Sequence, residues 1–333
     1  MPGSAEPRFS VVIPAYNAEK TLRATLDCAL AQTFAPHEVL VLDDGSTDTT
    51  PEILAQYAAR DDRVTFFSVP NGGLARARNH LIARATGTHV ACVDADDLWH
   101  PRYLEAHAAM IARFPEAVAT FTHHVDFVEP AEPEWPEDEA DDPGARARLW
   151  SPRELLKAYN FEPLTFHVSC FVISLALLNE MGPEPFYIPG SGADDTFIHN
   201  RLALYGPIAH TPERLGAYRI RRDSMSQNQV FMAEKVLKSF EGLTPLFAQH
   251  ADSRLRRDFA AVHAQRRRHC GKFYMGLDRP ADARAQFAAA LRGSREPRSV
   301  AKSAALLALS VAPRRLQPTW PGLERKIGTA QSV

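Results

Sequence analysis

Three carboxylates crowd the end of one apolar run. The stretch "HVACVDADDLWHP" carries Asp94, Asp96 and Asp97 directly after Val90–Val93. In a partly desolvated site such close like charges repel, and one tends to keep its proton unless a cation neutralises them. Asp94 and Asp96 have the D-x-D spacing. On an extended backbone residues i and i+2 point to one side, so both carboxylates can address one ligand. Hard divalent cations such as Mg²⁺ or Mn²⁺ take oxygen ligands and leave positions for phosphate oxygens. The pair therefore suits a metal bridged to a nucleotide diphosphate. The plainer alternative is an Asp-rich turn leading into a helix cap, since a bare D-x-D is common.

Other candidates sit in similar places. Asp43-Asp44 follows a second apolar run. A carboxylate there can accept the imide N–H of uracil, and Tyr16 can stack on the base. Taken singly, the pair reads equally well as a turn in which Asp, Gly and Ser fit the geometry. Arg76, Arg78 and Arg84 lie on "GLARARNHLIARA", and only one or two of them can face a phosphate site. Arg78, followed by Asn79, is the choice. Asp194-Asp195 follows "PGSG" and opens a helix, where carboxylates are favoured electrostatically. A carboxylate delivered by a glycine-flexed loop is also placed to take a proton from an acceptor hydroxyl within hydrogen-bond reach. His123 and His124 are adjacent on a strand, whose side chains alternate faces, so at most one could share a metal site. A structural or polar role suits them better.

The elements that position these groups alternate. "FSVVIP" (9–14), "EVLVL" (38–42), "RVTFFSV" (63–69) and "HVACV" (89–93) read as buried strands. Asn17 is expected to cap a helix whose Leu22, Leu26, Ala29 and Leu30 share one face. Thr50 is the expected cap of the next, with Pro51 at its first position. "GLARARNHLIARA" (73–85) is the third helix. Strands alternating with helices predict an α/β fold with a doubly wound, mostly parallel, Rossmann-like sheet. Ligands bind such sheets beyond the carboxyl ends of the strands, where "PAYN", "DDGSTD" and "DADD" all fall. A helix (152–160), a strand "TFHVSCFVI" (165–173), and a Gly-rich loop feeding a helix (189–206) follow. Two short strands, "PIAHT" and "LGAYRIR", come next. From about Phe231 the chain reads as helical, and "KFYMGLDRPADARAQFAAALR" resembles one helical hairpin of the tetratricopeptide kind.

Composition narrows the classes. The 333 residues, 45% hydrophobic and 23% charged with a net charge of −2, suit a globular protein with no global pull toward nucleic acid. Cys28, Cys92, Cys170 and Cys270 are scattered, which suits reduced thiols in a cytoplasmic protein. No signal peptide is read at the start, and no apolar run nears the ~20 residues that span a bilayer. The even balance hides an asymmetry. Residues 129–142 are Pro-rich and acidic, whereas residues 241–333 hold 17 Lys and Arg against 7 Asp and Glu. Those basic helices combine packing with a solvated face, and their charge also suits an anionic membrane surface or an acidic glycan.

Six stretches together resemble glycosyltransferase family 2, whose fold is called GT-A. They are "FSVVIPAYNAEKTLRATLDCALAQTF", "EVLVLDDGSTDTT", "NGGLARARN", "GTHVACVDADDLWHP", "ADDTFIHNRL" and "YRIRRDSMS", in the family's order over two-thirds of the chain. The resemblance implies a GT-A domain over 1–230, with donor binding in 1–125, an acidic insertion at 129–148 and an acceptor side in 150–230. A basic helical region over 231–333 follows. It implies a metal-dependent, inverting transferase that takes a nucleotide sugar, with Mn²⁺ or Mg²⁺ as cofactor. Pro14, Tyr16, Asn17, Asp44, Arg78 and Asp94 would hold the donor, and Asp96 with Asp97 the metal. Asp195 would be the catalytic base, with Asp194, Arg219 and Arg221 contacting the diphosphate or acceptor. Two departures stand out. Asp194 occupies a position where Glu is commoner, and Arg221 one where many relatives carry a histidine that can reach the metal. Arginine cannot ligate a cation, but its fork can bind a diphosphate directly. UDP is the expected nucleotide because Asp44 suits uracil. Relatives in bacteria build surface polysaccharide or lipopolysaccharide, so a glycan or lipid-linked acceptor is expected, either in the cytoplasm or peripherally at the inner face of the membrane. Two alternatives remain: a non-catalytic carbohydrate-binding scaffold, and a sugar-phosphate nucleotidyltransferase. The latter would need a Gly-rich phosphate loop, and "PAYNAEKT" offers Lys20 without glycines.

Overall fold

The computed structural model describes residues 6–129, 131–136, 144, 146–161, 167–186, 194–221 and 228–311. The chain forms two compact units, Met1–Leu155 with Pro163–Tyr187 and Tyr205–Arg221, and Leu156–Glu162 with Ile188–Leu204 and Arg222–Val333. The second unit thus begins nine residues before the expected boundary and takes two earlier segments as well. The Gly-rich "PGSG" loop and the "DSMS" stretch lie outside the described residues, as do 137–143 of the acidic insertion.

The first unit is built on a nine-stranded sheet. Strand β1 (Phe9–Ala15) is buried along its whole length, as a central strand must be. It pairs in parallel with β2 (Glu38–Asp43) and β4 (His89–Cys92), and β2 pairs in parallel with β3 (Val64–Ser68). Helices α1 (Leu22–Leu30), α2 (Thr50–Ala58) and α3 (Leu74–Ile82) connect these strands. Phe9, Val11, Ile13, Leu22, Leu26 and Leu54 share one core.

Parallel pairing stops at β4. There β8 (Phe171–Ser174) joins antiparallel, then β6 (Ala119–Phe127) antiparallel to β8, then β9 (Ile208–Arg219) parallel to β6. The short β5 (Leu98–Trp99) and β7 (Arg148–Trp150) pair antiparallel with β9. The sheet is therefore parallel in its amino-terminal half and mixed beyond it. Helices α4 (Tyr103–Arg113), α5 (Pro152–Phe161) and α6 (Leu175–Glu180) complete the connections, with α5 crossing the unit boundary.

Local expectations fared unevenly. Asn17 does not cap α1: Thr21 is the N-cap, and Asn17 sits at φ 49 with its side chain turned to another loop. Thr50 is the first residue of α2, its N–H held by the Asp48 carboxylate (3.0 Å). "PIAHT" and "LGAYRIR" form one strand, because β9 bulges rather than breaks: it runs from His210 to Gly216 beside only Phe121 to His124 of β6. Gly216 allows this passage, since a Cβ there would meet the Cys170 sulfur at 2.7 Å. Within "TFHVSCFVI" a 3-10 turn occupies Val168–Cys170 and the strand starts only at Phe171.

The second unit is helical in its described residues: α7 (Asp194–Leu202), α8 (Gln229–Gln249), α9 (Ser253–Gly276), α10 (Pro280–Gly293) and α11 (Pro297–Val311). Helices α9 and α10 form the expected hairpin. Cys270, Tyr274, Ala283 and Phe287 interlock there with Leu237 and Leu306. Gly271 makes the close approach possible, because a Cβ at that position would lie 2.5 Å from the Phe287 ring. No helix of the described residues is long and apolar enough to cross a membrane.

Candidate active site

Strand register assembles the site. Ala91 lies opposite Val172 in the antiparallel β4–β8 pair, so continuing three residues along each chain sets Asp94 against Ser169. Ser169 Oγ donates to Asp97 Oδ2 (2.6 Å) and accepts from the Asp94 N–H (3.2 Å), tying both ends of the acidic turn. Leu98 lies opposite Ala217 in β5–β9, which likewise sets Asp96 against Arg219. Arg219 Nε donates to the Asp96 carbonyl (2.7 Å), and the Arg219 N–H to Asp97 Oδ1 (3.2 Å). From α1, Thr21 and Thr25 donate to the carbonyls of Ala95 (2.8 Å) and Asp97 (3.0 Å). A turn held at this many points keeps its shape while its carboxylates repel one another.

The three acids consequently differ. Asp97 is buried with a hydrogen bond on each carboxylate oxygen, and burial followed by repulsion from Asp96 and Asp94 pushes its pKa well up. Asp94 is paired with Arg78, whose side chain is fully buried on α3 and lies 5.8 Å from the Phe186 ring. Asp96 is 38% exposed, and its Oδ2 is 4.0 Å from Arg221 Nη1. Burial of its inner part and the charge of Asp94 raise its pKa to about 6, against the pull of Arg221 and Arg219. Asp96 is thus the acid of this turn presented outward.

The other two strand exits are stitched together. Asn17 donates its N–H to Ser46 Oγ (2.9 Å) and accepts from the Thr47 N–H at Oδ1 (2.8 Å). Its left-handed backbone lets it do both, and asparagine tolerates that region. Tyr16 beside it is 53% exposed, an aromatic face held outside the core. Pro14 is buried at the end of β1. Asp43 Oδ1 accepts from the Ser46 N–H (2.9 Å). Asp44 is buried and accepts from the Gly72 and Gly73 N–H groups, one on each oxygen at 2.8 Å. Lone pairs remain on both oxygens for a ligand donor.

Asp44, Arg78, Asp94, Asp96, Asp97, Arg219 and Arg221 therefore all belong to the first unit, most of them in one hydrogen-bonded set at the strand ends. Arg219, expected against the diphosphate or acceptor, is buried and committed to the turn, to Glu129, and to the Phe127 ring 4.5 Å away. Asp194 and Asp195 lie in the first turn of α7, in the second unit, with Asp194 buried and Asp195 half-buried. His123 and His124 face different neighbours. His123 Nε2 lies within hydrogen-bond distance of His210 Nε2 (2.7 Å), while His124 packs on His167 at 4.4 Å. Burial lowers the pKa of both to about 4, as suits a structural role.

Ser169, Glu129, and the Gly72 and Gly73 amides were not among the expected site residues. Ser169 stands 72 positions from Asp97, in the 3-10 turn that leads into β8, and nothing in its local sequence announces an antiparallel partner for β4. The glycines lay inside a quoted motif, but a backbone donor has no residue-type signal.

The residues fit a divalent cation only in combination with substrate. Among the described residues no group of three or more His, Cys, Asp or Glu could hold a metal alone. Asp96 offers one hard carboxylate, and a cation of the Mg²⁺ or Mn²⁺ kind is commonly bound by one or two carboxylates plus substrate phosphates.

Comparison with known proteins bears on the fold and family. The family model described as glycosyl transferase family 2 matches residues 10–181. Glycosyltransferase GlyA of Streptococcus pneumoniae is 32% identical over 117 residues, which cover 35% of this chain and only 17% of that protein. The chain therefore spans a minor part of this curated relative. A crystal structure of S. aureus TarS 1-349 in complex with UDP-GlcNAc matches with a TM-score of 0.66 at 18% identity, over 97% of this chain and 88% of that one. The mannosyltransferase PcManGT from Pyrobaculum calidifontis, in complex with GDP-Man and Mn²⁺, matches with a TM-score of 0.57 at 21% identity, over 98% and 87%. At these identities the shared property is the fold, GT-A.

Proposed function

The chain belongs to glycosyl transferase family 2, and from that premise we propose that it is a metal-dependent, inverting glycosyltransferase. It moves a sugar from a nucleotide diphosphate, UDP by preference, to a hydroxyl of a glycan or lipid-linked acceptor in surface-polysaccharide or lipopolysaccharide synthesis. The observation that carries the reading is the division of labour in the acidic turn. Asp94 and Asp97 are tied into the protein, whereas Asp96 presents an exposed carboxylate at a strand exit. The complexes of TarS with UDP-GlcNAc and of PcManGT with GDP-Man and Mn²⁺ support the donor class and the cofactor.

In this reading Tyr16 stacks on the base and Asp44 accepts from it, its two amide partners holding the carboxylate in place. Asp94, oriented by Arg78, meets the ribose. Asp96 would hold Mn²⁺ or Mg²⁺, and Asp97 serves the site by anchoring the turn rather than as a ligand. When bound, the cation neutralises charge on the leaving diphosphate. Arg221, beside Asp96, places a second positive group where the diphosphate would lie, and a preorganised charge there stabilises the charge that develops. Asp195 takes the proton from the acceptor hydroxyl, and a single displacement inverts the anomeric carbon. Asp194 supports the acceptor side.

Two measurements test this. Purified protein should hydrolyse a UDP-sugar slowly in Mn²⁺, and Asp96→Ala should lower that rate by roughly 10²–10³-fold, the scale for losing one preorganised electrostatic group. Independently, calorimetry should show Mn²⁺ binding in the presence of UDP and none without it. Tight metal binding to the nucleotide-free protein, or wild-type hydrolysis by Asp96→Ala, would sink the assignment.

A further inference from the structure

The second unit carries a binding surface that the transfer chemistry does not use. Two clefts, of about 860 and 640 Å³, run along α9 and meet at Ala261 and Glu296, which line both. Ten Lys and Arg side chains border them against two acids, Asp258 and Glu296. Lys157, Arg257, Arg292, Arg295, Arg298 and Lys302 are exposed. Among the described residues none of these six has an ion-pair partner. One wall is rigid, because Arg268 crosses from α9 to α11 and donates to the hydroxyls of Ser299 (2.8 Å) and Ser303 (3.1 Å). Burial and the like charges of Arg268 and Lys302 hold the Lys272 ammonium below its ordinary value. Such an excess of positive charge costs the fold self-repulsion unless an anion relieves it.

The geometry points to a linear, repeatedly charged carbohydrate polymer, bearing carboxylate or phosphate groups, as the occupant of this cleft. Two clefts that adjoin at Ala261 and Glu296 offer a chain more than one place to lie. A membrane would favour a convex face with protruding apolar side chains, and among the described residues of this unit only Leu246 and Val311 are large, apolar and exposed. Single-stranded nucleic acid is bound on aromatic stacking platforms, and among the described residues no Phe, Tyr or Trp lines either cleft. A neutral glycan would want such a ring too, so recognition here rests on charge repeated along the ligand. The assignment is independent of the donor chemistry at Asp96.

The test uses the full chain without nucleotide or metal. Fluorescence anisotropy would follow labelled oligomers of polyuronate and of inorganic polyphosphate, with dextran as the neutral polymer. A DNA oligomer and phosphatidylcholine vesicles containing phosphatidylglycerol serve as the competing partners. One or both polyanions should bind, and weaken as salt is added. The variant R257E/R295E/R298E should weaken that binding roughly tenfold or more, since three attractions become repulsions. Reversal of Arg60, Arg84 and Arg113, exposed on the first unit, should leave it within about twofold. Tighter binding of polyuronate than of polyphosphate identifies a carboxylate polymer, and the reverse a phosphate polymer. Equal binding of dextran, tighter binding of DNA or vesicles, absence of polyanion binding, or indifference to R257E/R295E/R298E would each overturn the proposal. Donor hydrolysis, measured on the same variant, separates a failure here from a failure of the transferase reading.

Discussion

Two sets of arginines, one in each unit, do opposite work. In the first unit Arg78 and Arg219 are buried, each spent on an acid or carbonyl of the strand-exit turns. In the second, Arg257, Arg292, Arg295 and Arg298 are exposed along adjoining clefts and have no ion-pair partner among the described residues. A committed arginine shapes a site but offers it little free charge. An uncommitted one contributes nothing to the fold and is available to a ligand. Chemistry that needs geometry within a fraction of an ångström thus goes with the arginines spent on structure, and recruitment of charge with those left exposed.

Acid should expose the same contrast most strongly. Six imidazoles of the first unit (His89, His107, His123, His124, His167 and His210) have pKa values lowered to about 3 or 4, in each case chiefly by burial. Unfolding lets each bind a proton near its ordinary value of ~6.5. The folded state therefore holds fewer protons than the unfolded one below that pH, and stability falls as pH drops from about 6.5 toward 4. A fully buried histidine such as His107 costs about 1.4 kcal/mol per pH unit in that window, so six together can consume a typical domain's stability. In the second unit His263 is lowered in the same way. Trp99, Trp135 and Trp150 lie in the first unit, and Trp320 lies outside the described residues. With Trp320→Phe, tryptophan emission should report acid unfolding ahead of the helical circular dichroism signal. Coincident transitions would break the comparison.

Removing a committed arginine comes next in size. Arg78→Ala leaves Asp94 without its buried partner and should cost roughly 3–5 kcal/mol in chemical denaturation. Arg78→Met combined with Asp94→Leu should recover much of that stability, because a well-packed apolar pair avoids the desolvation penalty, while donor hydrolysis stays lost. If the double variant were as unstable as Arg78→Ala, packing rather than charge would be the function of Arg78.

Much of this division was legible in the sequence. The acidic turn, the Asp43-Asp44 exit and the amino-terminal half of the sheet follow from apolar runs broken by polar residues, because β1 to β4 alternate with amphipathic helices and such a pattern builds a parallel sheet. The site's support was not. Ser169 and Arg219 reach the turn through the β4–β8 and β5–β9 registers, and antiparallel pairing across more than 70 residues leaves no local periodicity. The stretch from Pro212 to Arg214 reads as a break in what is one strand, because β9 takes it up as a bulge whose partner residues lie far off on β6. The basic character of the second unit was plain from composition. That its cations share one cleft was not, since they come from α5, α9, α10, α11 and the α10–α11 connection.

A substitution in the second unit that concerns packing should act there alone. Gly271→Ala places a methyl 2.5 Å from the Phe287 ring and should cost about 1–3 kcal/mol, the usual penalty for overpacking. Adding Phe287→Leu should return part of it. Donor hydrolysis by Gly271→Ala at a temperature where both units remain folded should match wild type, since none of the proposed donor contacts is touched.

The smallest effect is the most diagnostic of the contrast. Arg298→Gln removes an exposed cation from a cluster of like charges, with no ion pair to lose among the described residues. Surface changes of this kind stay within about 0.5 kcal/mol, and relief of repulsion gives the change a stabilising sign. The gain should be largest at low ionic strength and vanish in added salt, as a screened interaction must. Polyanion affinity should meanwhile fall a few-fold, so that one arginine trades fold stability for binding. Arg78→Ala should move stability in the other direction and leave polyanion affinity unchanged wherever the protein is folded. If Arg298→Gln instead destabilised the protein as salt was lowered, the cleft's charges would be holding the second unit together, and its resemblance to the first would be closer than its sequence suggests.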